Sequence, residues 1–251
     1  MAVSDIALGQ ARGAWRRLSR GKTRIVGQAR RIGRLVTGRA RLAVGVAPLS
    51  ERWGFDRGLP IHRYYLEEFL QAHATDIRGA CLEFHSAGYT RRFGGAAVTR
   101  ADVLHLDDSN PRATIVADLT KHNDIPSNRF DCIICTHVLH LILELERAVT
   151  EMHRILRPGG VLLVAVPQLS MCDPSFHELW RFTPEGLHVV LARGFGSGTV
   201  QARAYGNSLT SAGEIRGLPA NEFRKSELDY HDPRFGIEVC ARAIKASPSR
   251  E

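Results

Sequence analysis

Between Ala80 and Pro167 the chain alternates short, unbroken apolar runs with loops and helical patterns, and this alternation limits the fold more than any other feature. The runs are IRGACLEF, entered through Gly79; Val103–Leu106; ATIVADL (113–119); FDCIICT (130–136); and VLLVAVP (161–167). Strands that are apolar along their whole length, rather than at every second residue, are covered on both faces, as in a parallel sheet flanked by helices. Helical periodicity places one covering helix over PIHRYYLEEFLQAHA, before the first strand. It places another over LELERAVTEMHRIL, which runs into an Arg157-Pro158-Gly159-Gly160 turn ahead of the fifth strand. The expected fold is a doubly wound α/β sheet.

After Pro167 a loop (168–176) leads to LWRFTPEGLHVVLARGFG, which reads as a helix started near Thr183-Pro184 and stopped at Gly194. TVQARAYG and FGIEVCARAIK alternate enough to be two last strands, with NSLTSAGEIRGLPANEF as helix or loop between them and HDPRFG as a turn. The expected organisation is an arm (1–47), a connector (48–60), the α/β domain (61–246) and a disordered tail (247–251).

The net charge of +8 is unevenly spread: the first fifty residues carry eleven Lys or Arg and one acid, so they hold +10 and the remainder −2. A basic charge confined to an arm argues against nucleic-acid binding by the body. Leu18, Ile25, Ala29, Ile32 and Val36 fall at helical spacings between arginines, so residues 5–45 read as one or two basic amphipathic helices. Such an arm suits an anionic membrane surface or an acidic protein partner, and equally suits a solvated linker. No apolar run approaches 18 residues and no signal-peptide pattern opens the chain, so a cytoplasmic location is expected, peripheral to a membrane if the arm docks there. Cys132 and Cys135 sit three apart on one strand and point to opposite faces, which excludes a shared metal between them; no metal is expected.

In an open parallel sheet, ligands lie beyond the carboxyl ends of the strands near the point where strand order reverses. Those ends fall at Glu83-Phe84, Asp107, Asp118 and Thr136-His137. Each acid taken singly also reads as a helix cap or a solvated loop residue; three at successive strand ends point to a ligand. The order of FDCIICTHVLHLI, LERAVTEMHRILRPGGVLLVAVP and WRFTPEGL resembles the class I (Rossmann-like, seven-stranded) S-adenosylmethionine-dependent methyltransferase superfamily, in particular a bacterial type often found with glycosyltransferases. The resemblance covers about Pro60 to Lys245. It implies S-adenosylmethionine as cosubstrate and a small-molecule acceptor methylated on oxygen or nitrogen, with a sugar or glycosylated natural product as the acceptor class.

Carried over position by position, the resemblance gives Glu83, Phe84, His85 and Gly88 to the first loop. It gives Asp107, or Asp108 if the register slips by one, to the ribose, Asp118 and Leu119 to the adenine, and Thr136 to the donor's side of the fourth strand. The loop departs from the family's alternating glycines: His85 stands where the first is expected, and only Gly88 remains. His137 is the first choice for a general base, with His140 beside it, since histidine titrates near neutrality; an orienting or structural role is the alternative. Tyr89 and Arg91 in GYTRRFGG, and His177, Trp180 and Arg181 after the fifth strand, are expected on the acceptor's side. Two functions stay open: the methyl transfer itself, and a non-catalytic methyltransferase fold that binds a partner or membrane through its arm.

Overall fold

The computed structural model describes Gly33, Ala40 and residues 45–247; the basic arm and the last four residues lie outside that range for nearly all of their length. Seven strands form one sheet: β1 (Gly79–Phe84), β2 (Val98–His105), β3 (Ile115–Val116), β4 (Phe130–Thr136), β5 (Leu156–Pro167), β6 (Val200–Tyr205) and β7 (Glu238–Ile244). Their spatial order is β3-β2-β1-β4-β5-β7-β6. The first five strands pair in parallel, and β7 enters antiparallel to both β5 and β6. The order reverses between β1 and β4, so the crevice beyond their carboxyl ends is the natural ligand site. Because β7 runs backwards, its first residue, Glu238, pairs with Pro167 at the same edge.

The helices are α1 (Ile61–Ala72), α2 (Leu145–Ile155), α3 (Pro184–Phe195), α4 (Ser208–Ile215) and the single turn α5 (Lys225–Leu228). Period-two alternation sorts the strand side chains into two layers. Leu82, Ile133, Cys135, Leu162 and Val164 pack under α2 and α3, against Val149, Met152, Leu187 and Leu191. Cys81, Cys132, Ile134 and Leu163 face α1 and meet Tyr65, Leu66, Phe69 and Leu70. Cys132 and Cys135 therefore lie in opposite layers, and all five cysteines are free thiols.

Several elements differ in extent from the sequence reading. β2 starts five residues earlier than the apolar run and ends at His105, because Leu106 turns out to solvent and Asp107 folds back onto Ser109. β3 is two residues long, since Asp118 captures the Thr120 N–H and turns the chain off the sheet edge. His140 lies in a 3-10 turn (Leu139–Leu141), one connection before α2 rather than on a helix. α3 runs through Gly194 to the buried Phe195, and Gly196 takes the left-handed stop at φ +82°. Residues 48–60, expected as a connector, lie along the domain as a strap. Leu49 N–H donates to Arg216 O at 2.8 Å, Ala220 N–H donates to Leu59 O at 2.7 Å, and Arg57 pairs with Glu222.

Gly79 opens β1 at φ +66°, and a Cβ there would collide with the Asp131 carboxylate that accepts the Ala80 N–H and pairs with Arg157. A Gly79→Ala change is expected to lower the unfolding free energy by about 2 kcal/mol or more, from the left-handed backbone and the displaced carboxylate together. Gly88→Ala, which meets nothing nearer than 3.5 Å, should stay within about 0.5 kcal/mol. Urea denaturation of the two variants checks the contrast.

Candidate active site

The strand ends present a loop already wired to itself. Glu83 is 2% exposed, and its carboxylate accepts the N–H groups of Thr90 at 2.7 Å and Tyr89 at 3.2 Å. Burial pushes its pKa up against those two bonds. Its place is beneath the loop, which it anchors. His85 adopts φ +66°, a conformation that glycine reaches without steric penalty and other residues at a cost of about 1–3 kcal/mol. The backbone shape expected of a glycine is thus kept, with an exposed imidazole added. Asn110 Nδ2 donates to the His85 carbonyl at 2.8 Å and ties this loop to the one after β2.

Asp107 lies two residues past β2 and is exposed. Its Oδ1 accepts from the Ser109 hydroxyl at 2.5 Å and the Ser109 N–H at 3.0 Å, and these bonds hold its carboxyl below the usual range. No hydrogen bond to Oδ2 is found among the described residues. Asp108 is fully on the surface beside it. Asp118 is similarly bonded to Thr120 and paired with Lys121 at 3.1 Å. Leu119 is buried in the core, and Phe84 and Thr136 are half-buried at the ends of β1 and β4.

On the other side of β4 a cavity of about 220 Å³ opens over the ends of β4, β5 and β7. His137 lines it at φ +54°, so a second histidine at a strand end holds a left-handed backbone. Its Nε2 lies 2.8 Å from Oε1 of Glu238, which is completely buried at the start of β7. Burial drives the two groups apart in pKa: Glu238 is raised to about 8, and His137 falls well below the ordinary histidine value, helped by the nearby Arg63 and His62. Glu238 Oε2 has no hydrogen-bond partner among the described residues. His140 also lines the cavity; burial lowers its pKa to about 4, its Nδ1 is buried without a partner among the described residues, and its carbonyl accepts from Leu179 and Trp180. The sequence reading placed both of these histidines on the site, and the structure brings them to one wall with ring centroids 6.2 Å apart.

Several contributors were not anticipated. His62 and Arg63, at the start of α1, reach the cavity where the sequence shows only the polar side of an amphipathic helix. His62 Nδ1 is 2.7 Å from Glu214 of α4, a second buried imidazole–carboxylate pair, 5.5 Å from the His137 ring. Trp53 and Phe55 of the strap close the cavity, Trp53 being held by an Nε1–H bond to Met171 O at 3.2 Å. From the segment after β5, Phe176 and Glu178 line the cavity, whereas His177 is exposed outside it. Trp180 donates to Ile142 O at 2.8 Å and Arg181 pairs with Glu178, so both brace this segment. Tyr89 does not line the cavity but accepts from Arg63 Nη1 at 2.8 Å; Arg91 is exposed on the far side of that turn. The signal that could have found Glu238 is a lone acid in the otherwise apolar FGIEVCA; a buried carboxyl in a strand requires a partner.

Residues 89–164 match the family described as Methyltransferase domain. A "Ubiquinone/menaquinone biosynthesis C-methyltransferase UbiE" from Erwinia tasmaniensis is 32% identical over 128 residues, covering 48% of this chain and 48% of that protein. A "Probable S-adenosylmethionine-dependent methyltransferase" from Mycolicibacterium smegmatis is 29% identical over 114 residues, 45% of this chain and 43% of its own. The chain thus spans at most about half the length of these curated relatives. Among solved structures, a SAM-dependent methyltransferase from Archaeoglobus fulgidus aligns with 73% of this chain and 94% of its own, at 13% identity and a TM-score of 0.49. Residues 89–164 thus match a methyltransferase domain, and they lie within a seven-stranded sheet that, with its reversed β7, has the Rossmann-like methyltransferase fold.

Proposed function

We propose that the protein transfers a methyl group from S-adenosylmethionine to a hydroxyl of a small molecule held in the cavity at the ends of β4, β5 and β7. The observation that carries this reading is the His137–Glu238 pair at 2.8 Å, set on the wall of that cavity, across β4 from the strand-order reversal. The donor supplies an electrophilic methyl when bound. The residues at the ends of β1–β3 suit it: a carboxylate with one uncommitted oxygen (Asp107) for ribose hydroxyls, a left-handed backbone at His85, and an open position at Gly88. Asp118, next to Leu119, is placed for an exocyclic amine.

The proton step follows from the pair's wiring. With Glu238 protonated, its O–H donates to His137 Nε2, and the ring proton then sits on Nδ1, which cannot act as a base. Loss of the Nδ1 proton to solvent, with the shared proton passing from Glu238 to Nε2, leaves an anionic Glu238 accepting from Nε2–H, and frees the Nδ1 lone pair to take the acceptor's hydroxyl proton as the oxygen attacks. His140 and Arg63 orient the acceptor. The acceptor's identity as a sugar or glycosylated product has only the family resemblance behind it. A second reading, a non-catalytic member acting through its basic arm, is favoured by the Asn110–His85 bond, which draws the first two loops together; the arm itself lies outside the described residues.

Calorimetric titration with S-adenosylhomocysteine separates the two readings: binding supports transfer, and none at millimolar ligand supports the non-catalytic member. Asp107→Ala is expected to weaken that binding roughly 10-fold or more, the worth of a hydrogen bond to a charged group; unchanged affinity would show that Asp107 does not hold the ribose. His137→Gln should lower kcat by about 100-fold or more while leaving the homocysteine analogue's affinity alone. Methyl transfer by the wild type should rise with pH through about 8, the value to which burial raises Glu238. Glu238→Gln should flatten that rise, and a rate profile indistinguishable from wild type would remove Glu238 from the mechanism.

A further inference from the structure

Besides His137 Nδ1, the cavity contains three polar groups whose bonding capacity is unspent among the described residues, and their chemistry is complementary to one kind of molecule. Arg63 is the first. Its guanidinium donates to the Tyr89 hydroxyl and lies about 6 Å over the rings of Phe55 and Tyr89, yet no carboxylate stands within 4 Å of it among the described residues. A cation facing a partly enclosed apolar cavity without a counter-ion is a receptor for a carboxylate, which it can meet with two parallel N–H bonds. Glu238 Oε2 is the second, in a side chain with no exposed surface, and His140 Nδ1 is the third, in a residue 7% exposed. Both line the same cavity, and buried polar atoms left unpaired by the protein are where a ligand's own donors and acceptors belong.

The remaining polar side chains on the wall are already engaged: His62 with Glu214, Glu178 with Arg181, and the Ser170 hydroxyl with Met171 O. The rest of the lining is apolar, with Trp53, Phe55 and Phe176 presenting rings from two sides. At about 220 Å³ the space is below the 300–1,000 Å³ usual for drug-sized ligands, which limits the occupant to about one ring. A pyranose would bring more hydroxyls than the wall can pair and would leave them desolvated.

Resting on the transfer reading above, we infer that the acceptor is a single-ring hydroxyaryl carboxylate, its carboxylate on Arg63, its ring between the strap and Phe176, and its hydroxyl on the Glu238–His137–His140 side. Arg63 is then the residue that sets acceptor specificity. It is not part of the methyl-transfer chemistry.

The test is acceptor binding without donor, so that it stands apart from the cosubstrate question. The full chain is titrated by calorimetry with the hydroxybenzoates, with the corresponding neutral hydroxybenzyl alcohols, and with methyl glucoside. A hydroxybenzoate should bind at least about 10-fold more tightly than its alcohol, the lower bound for a charged hydrogen bond. Arg63→Gln should abolish that preference, and Arg63→Lys, which keeps the charge, should retain part of it. No binding of any hydroxybenzoate, equal affinity for acid and alcohol, an unchanged preference in Arg63→Gln, or tighter binding of the glucoside would each overturn the inference. Binding of S-adenosylhomocysteine without hydroxybenzoate binding would overturn the acceptor class alone; hydroxybenzoate binding without the homocysteine analogue would overturn only the donor.

Discussion

The Glu238 carboxyl is withdrawn from water altogether, and much of the site's form answers that fact. An isolated carboxylate in such a place would cost several kcal/mol even after relaxation. Burial therefore favours the protonated acid, and its one hydrogen-bond partner among the described residues is the imidazole of His137. To meet it, His137 must leave β4 in a left-handed turn, which a β4 continuing in extended form would not allow. The same turn puts the chain into the short 3-10 segment that carries His140, whose carbonyl then holds Leu179 and Trp180 and so the whole segment after β5. A single desolvated group thus connects the last strand, the fourth strand and the loop that walls the cavity.

Two histidines at neighbouring strand ends occupy conformations cheaper for glycine, and they serve different ends. At His137 the side chain lines the cavity and meets Glu238. At His85 the ring is exposed, and what the loop uses is the backbone: the carbonyl that Asn110 grips and the turn that lets Glu83 reach the amides of Tyr89 and Thr90. The loss of the glycine pattern accordingly alters the loop's surface more than its path. A glycine-based motif reports backbone shape only indirectly, and here the shape persists without the residue.

How much of this was legible in the sequence depended on whether a residue's role follows from its local pattern. The five parallel strands were readable because unbroken apolar runs have few other uses, and α3 announced itself through Thr183-Pro184, a side-chain cap followed by a first-turn proline. His137 was readable from its place at the end of β4. Strand lengths at the sheet edge were not, because β2 and β3 end where side chains bind their own backbone, as at Asp107 and Asp118, and not where hydrophobicity ends. The partners of His137 were hidden for a different reason. His62 and Arg63 look like the solvent side of a helix, Trp53 and Phe55 like linker residues, and Glu238 like the polar half of an alternating strand. Each becomes part of the site only through pairings between segments far apart in the chain, which no local window contains.

That distance has a consequence for how the protein comes to exist as a working molecule. One wall of the cavity is the strap that precedes α1, and its buried acid opens the last strand, threaded between β5 and β6. Contacts of such separation form late, after the cost of closing the intervening loop has been met. The central strands can be made and paired while the ribosome still holds the end of the chain, but the cavity has no floor until β7 is inserted. A chain cut before β7 would keep most of the sheet and lose Glu238 from the cavity, so the cavity takes its form only when β7 has paired with β5.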